Sequence, residues 1–129
     1  HDVIHRFEVL SAAQQAGRTL KVLLEVNVSG ESVKFGLKPE ETPAVLEASN
    51  RLMNIELTGL MTMPPVSALA DGARPHFRRL RELRDEWRAA TGIPLDELSM
   101  GMSHDFEVAI EEGATWIRVG TDIFGDRTK

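Results

Sequence analysis

The sequence predicts an α/β protein built on a parallel sheet. Three observations carry that prediction: aliphatic runs of strand length alternate with segments of helical periodicity, the connections between them are short, and Leu20 to Ser29 (LKVLLEVNVS) is almost uninterruptedly β-branched or aliphatic. Such a run suits a strand covered on both faces by crossover helices. The element order is β-α-β-α-β-α-β-α-β, which calls for parallel strands joined by right-handed crossovers. That order fits an open doubly wound sheet or part of a (β/α)8 barrel, and both put the ligand at the carboxyl ends of the strands. The 129 residues make one domain, 1–129. A whole barrel takes about 250 residues, so about five of its eight strands are expected here.

The elements follow in order. Val3-Ile4 reads as a strand end, and Phe7, Val9, Leu10, Ala13 and Ala16 recur at helical spacing between Arg6 and Ala16, with Gly17 as the stop. After the strand at Leu20, residues Gly30 to Lys38 form a loop. Pro39, Glu40 and Glu41 suit the first turn of a helix running to about Met53, because proline needs no N–H partner there and acids favour the positive helix end. Ile55 to Met63 is the next strand, stopped by Pro64-Pro65. Ala73 to Ala90 carries Phe77, Leu80, Leu83 and Trp87 on one stripe and is predicted as an amphipathic helix. Glu97 to Met102 is a strand, Asp105 to Glu112 a short helix ended by Gly113, Thr115 to Val119 the last strand, and Asp122 to Gly125 a final turn.

Composition narrows the function classes. The hydrophobic fraction is 42% and the charged fraction 27%, as in soluble globular proteins. No apolar run approaches the roughly 20 residues of a membrane span, and no leader resembles a signal peptide, so a cytoplasmic location is expected. The absence of cysteine excludes disulfides, thiol catalysis and cysteine-ligated metals. The net charge of −5 offers no general attraction to nucleic acid or acidic membranes, so an anionic ligand must be held locally. Arg74, Arg78, Arg79, Arg81, Arg84 and Arg88 are interleaved with Glu82, Asp85 and Glu86, which predicts a solvated helix face and not a nucleic-acid surface. His1 and His5 have helical spacing but no acidic partner motif, and no zinc site is expected. The chain opens at His1 directly into an apolar-alternating segment, which predicts further chain upstream.

The candidate chemistry lies in Leu98 to Arg127. Two successive strand-to-loop transitions, at Met102-Ser103 and Gly120-Thr121, each place a small hydroxyl residue where a strand hands over to a helix. Free N–H groups and the positive dipole end at such a place favour an anion, and two such loops side by side make a phosphate cup. Ser103 alone is better read as the cap of the helix that follows, and it is the combination with Gly120-Thr121 that favours an anion site. Strand alternation puts Trp116, Arg118 and Gly120 on one side and Thr115, Ile117 and Val119 on the other. Arg118 therefore either faces a ligand atom beside a glycine or pairs with a carboxylate such as Glu25, since an unpaired buried cation is costly. Glu25 and Asn27 share a strand face and either line the site or are satisfied in the core. Met61, Met63, Met100 and Met102 are expected as core filler.

The string Leu98-Ser99-Met100-Gly101-Met102-Ser103, with Asp105, Ala109-Ile110, Gly113, Arg118-Val119-Gly120-Thr121, Ile123-Phe124-Gly125 and Arg127, resembles the C-terminal signature of the pyridoxal phosphate homeostasis protein family. Val26-Asn27-Val28-Ser29 with Glu31, Lys34 and Gly36 is similar to that family's fifth-strand loop, and Gly59 to Pro64 to its sixth strand. The resemblance implies a (β/α)8 barrel of the alanine racemase type, of which this chain holds strands four to eight. It implies a small-molecule ligand, pyridoxal 5′-phosphate (PLP), with no established turnover and a role in balancing the cofactor pool. Ser103, Gly120 and Thr121 would hold the phosphate, and Arg118 would face the pyridine nitrogen. The family's Schiff-base lysine lies on the first strand, which this chain lacks, so the cofactor is expected to bind without a covalent anchor. The alternative is a racemase-like or phosphate-substrate barrel enzyme. An open part-barrel also leaves strand edges unpaired, which predicts self-association.

Overall fold

A computed structural model of the chain describes residues 17, 19–30, 36–65 and 70–120. The strand end at Val3-Ile4, the helix from Arg6 to Ala16, Thr121 and the turn at Asp122 to Gly125 lie outside the described residues. Six regular elements follow one another: β1 (Leu20–Glu25), α1 (Thr42–Asn50), β2 (Ile55–Met61), α2 (Arg74–Thr91), β3 (Glu97–Ser99) and α3 (Phe106–Glu111), with single 3-10 turns at Pro39–Glu41 and Ala70–Ala73. The strands form one parallel sheet in the order β1-β2-β3, with α1 and α2 lying in the crossovers. This is the α/β architecture with a parallel sheet expected from the element order.

Alternation along the strands separates the two faces. Val22, Leu24, Leu57, Leu60 and Leu98 pack into the core under the helices, together with Leu46 of α1 and Phe77, Leu80, Leu83 and Trp87 of α2. The predicted stripe of α2 is thus the buried one, and Gly92, at φ 76°, ends that helix by donating its N–H to Arg88 O at 2.9 Å. On the opposite face Lys21, Leu23, Thr58, Glu97 and Ser99 line an open cavity. Among the described residues helices cover β1 on one face, and the helix expected from Arg6 to Ala16 lies outside them. The second face belongs to a groove, and Lys21 and Glu25 are the polar residues in β1 that alternate onto it.

Registers explain two sequence features. Leu23 pairs with Gly59 although Val22 pairs with Leu57, so Thr58 is the extra residue of a bulge and projects toward the groove. Gly59 pairs with Glu97, and a Cβ there would stand 1.8 Å from Glu97 O, so only glycine lets β2 and β3 approach.

The strands are shorter at their carboxyl ends than the apolar runs predict. Beyond Glu25 the backbone changes partner: Leu37 N–H donates to Glu25 O and Asn27 N–H to Leu37 O, both at 2.8 Å, making an isolated bridge at Val26. Asn27 Oδ1 then accepts from Ser29 Oγ at 2.9 Å and Gly30 N–H at 3.2 Å and turns the chain away. The last predicted strand, Thr115 to Val119, is reduced to one parallel bridge between Ser99 and Trp116. Trp116 N–H donates to Leu98 O and Met100 N–H to Trp116 O, but Arg118 N–H reaches Gly101 O. A continuing parallel ladder would take it to Met100 O, so the register slips by a residue at Gly101, whose φ is 107°. Among the described residues the sheet is therefore three strands with isolated bridges at Val26 and Trp116, and the strand end expected at Val3-Ile4 lies outside them.

Candidate functional site

The slip at Gly101 builds the base of the site. Gly101 is in the left-handed region, and a Cβ on it would lie 2.6 Å from Ala109 Cβ, so α3 packs directly on the loop backbone. From the other side the Arg118 N–H to Gly101 O bond, at 3.0 Å, ties the last segment to this loop. Ser103 lies two residues beyond the tie on one loop and Gly120 two residues beyond it on the other. The transitions singled out in the sequence are thus anchored to each other at their bases, at the carboxyl end of β3. Thr121 lies outside the described residues.

Ser103 does not cap α3. The cap position belongs to Asp105, and the Met102–Asp105 turn precedes the helix. Asp105 is 4% exposed; its Oδ1 accepts the Met102 N–H at 2.7 Å while its own N–H donates to Met102 O at 3.0 Å. With only Phe106–Glu111 in α3, little dipole accumulates behind the loop. The loop's hydroxyl and backbone N–H groups are what it offers an anion.

Arg118 borders the groove. With Leu23, Glu25, Met61 and Ser99 it lines a cavity of about 370 Å³ at the carboxyl ends of β1, β2 and β3, next to a larger one of about 430 Å³ that runs back toward Lys21 and Glu97. Glu25, the carboxylate named as a structural partner, lines the same cavity, yet among the described residues no ion pair joins it to Arg118. At Gly120 nothing among the described residues stands within 4 Å of where a Cβ would be. A guanidinium on a cavity wall and a serine-bearing turn tied beside it suit an anionic ligand. Of the methionines, Met100 is core, Met61 lines the cavity, and Met63 and Met102 are exposed. Asn27 Oδ1 accepts two bonds within its own turn.

The arginines of α2 are not a plain solvated face. Arg74, Arg78 and Arg81 converge on Glu112 at 2.7, 3.2 and 3.2 Å, and Arg74 also reaches Glu111 at 2.7 Å. Arg84 donates to Leu95 O, and Arg88 to Pro94 O and Asp96. Hydrogen bonds from Arg78 and Arg74 lower the Glu112 carboxyl from its ordinary 4.5 to about 2. This cluster straps α3, and with it the Ser103 turn, onto α2. Spacing along one helix points to partners on that helix, and so it missed Glu112. The side-chain alternation of Lys21, Leu23 and Glu25 and of Glu97 and Ser99 was the available signal for the groove.

The fold and the tie between Gly101 and Arg118 define a parallel α/β protein with two loops paired at the strand ends. Residues 2–128 match the family model for the alanine racemase N-terminal domain, and the chain belongs to that family. It is 54% identical over 106 residues to the pyridoxal phosphate homeostasis protein of Aquifex aeolicus, covering 82% of this chain and 46% of that one. Against the human pyridoxal phosphate homeostasis protein it is 44% identical over 126 residues, covering 93% of this chain and 46% of the relative. The chain thus spans about half the length of the curated relatives it matches. The solved structure of PipY from Synechococcus elongatus with PLP bound superposes with a TM-score of 0.81 at 35% identity, over 90% of this chain and 54% of that one. The relatives are named as homeostasis proteins and not as enzymes. No helix among the described residues is long and apolar enough to cross a membrane.

Proposed function

We propose that this chain is the non-covalent half of a PLP site in a protein of intracellular PLP homeostasis, without catalytic turnover of its own. Ser103, Gly120 and Thr121 hold the phosphate, and Arg118 faces the pyridine nitrogen. The observation that carries the reading is Arg118 on the cavity wall, tied through its backbone to the Ser103 loop and joined to no carboxylate among the described residues. The PLP-bound structure of PipY and the names of the curated relatives support the choice of ligand. When bound, PLP supplies an electron-withdrawing ring. A guanidinium facing the ring nitrogen would disfavour a proton there and so weaken that capacity.

The proposal includes the C-terminal part of a (β/α)8 barrel, strands four to eight, and a cytoplasmic location. It also includes the absence of a covalent anchor. Lys21 stands at the amino end of β1, at the far end of the larger cavity that Arg118 also lines, and Lys38 is exposed ahead of the first 3-10 turn. Lys34 lies outside the described residues. A PLP titration followed by borohydride reduction and intact-mass measurement tests this: the ligand should bind reversibly and leave no adduct on the reduced chain. A stoichiometric lysine adduct would favour the racemase-like alternative, and no binding at millimolar PLP would sink the proposal for this chain.

A further inference from the structure

We propose that Asp105 is the positioning residue of the phosphate-facing turn, an inference that rests on the site proposed above and adds to it. Its carboxylate is buried and makes no cap bond to α3. Instead Oδ1 takes the Met102 N–H at 2.7 Å, while the Asp105 N–H donates to Met102 O at 3.0 Å, so both ends of the turn that carries Ser103 are closed on one residue. Ser103 lies inside this closed turn, and its place relative to Gly120 is then set by the Gly101 O to Arg118 N–H tie at the same loop. Oδ2 faces His104 Nε2 at 3.3 Å. The turn needs an acceptor at this position but not a negative charge, because a carboxylate so close to the loop opposes an incoming phosphate.

The two properties separate in two variants. Asp105→Ala leaves the Met102 N–H without its acceptor, whereas Asp105→Asn keeps an oxygen there and removes the charge. Dissociation constants for PLP and for pyridoxal, which lacks the phosphate, are measured on the parent and both variants, with thermal midpoints alongside. Asp105→Ala should weaken PLP by about tenfold or more, the size expected for one unmade buried hydrogen bond, and pyridoxal far less. Asp105→Asn should bind PLP at least as tightly as the parent. Equal PLP affinity in Asp105→Ala, an equal loss for pyridoxal, or an Asp105→Asn as weak as the alanine variant would overturn the assignment. If Asp105→Ala does not fold, Asp105→Asn decides alone, with weakened PLP binding counting against it. A parent that binds neither compound overturns the underlying site reading instead.

Discussion

Arg74, Arg78 and Arg81 reach Glu112 from successive turns of α2, and that carboxylate is 4% exposed. Because the folded carboxyl titrates near 2 against an ordinary 4.5, protons bind the unfolded chain first. Its contribution to stability is therefore full above about pH 4.5 and is lost as the pH falls toward about 2. Denaturant midpoints taken through that window should fall for the parent and fall less steeply for Glu112→Gln; parallel slopes would show that Glu112 is not the group responsible. A second residue-scale expectation concerns Gly101, whose φ of 107° and 2.6 Å virtual contact with Ala109 exclude a side chain. Gly101→Ala should cost about 2–3 kcal/mol in urea unfolding, and a cost near zero would show that the loop can relax. The sequence made Ser103 and Arg118 readable because small hydroxyls and a strand-end arginine have recognisable chemistry. It did not reveal the target of the α2 arginines, since Glu112 is 31 to 38 positions away from them.

At the scale of elements, periodicity was a sufficient guide wherever packing is one-sided. The α2 stripe of Phe77, Leu80, Leu83 and Trp87 is buried as its spacing predicts, and Leu80→Ala should lower stability by about 2–5 kcal/mol in a denaturant titration. A loss below about 1 kcal/mol would mean that the helix is not seated on the sheet as described. Strand ends were less readable, because an apolar run says where a chain can extend and not where its partner stops. Leu20 to Ser29 is apolar well past Glu25, but the ladder changes partner at Val26 and Asn27 folds the turn. Thr115 to Val119 alternates like a strand, yet the Arg118 N–H slips to Gly101 O and only the Trp116 bridge forms. Arg118 does line the cavity, but so does Ile117, which alternation had put on the other side.

For the whole molecule, the sheet face that no helix among the described residues covers is the feature that the alternating strands left implicit. Lys21, Thr58, Glu97 and the 61% exposed Trp116 line it, with Trp116 Nε1 donating to Glu97 at 2.6 Å. Among the described residues β1 pairs laterally with β2 alone, apart from the bridge to Leu37. A face and an edge of this kind invite a second chain, so this chain should self-associate in concentration-dependent light scattering, and a monomer throughout would speak against open edges. Whether the paired loops hold PLP is tested most directly by titrating the parent and the Ser103→Ala/Thr121→Ala double variant with PLP, following the ligand's absorbance. The proposed site predicts saturable, reversible binding by the parent and a loss of about tenfold or more in the double variant. Equal affinities for the two proteins would contradict it.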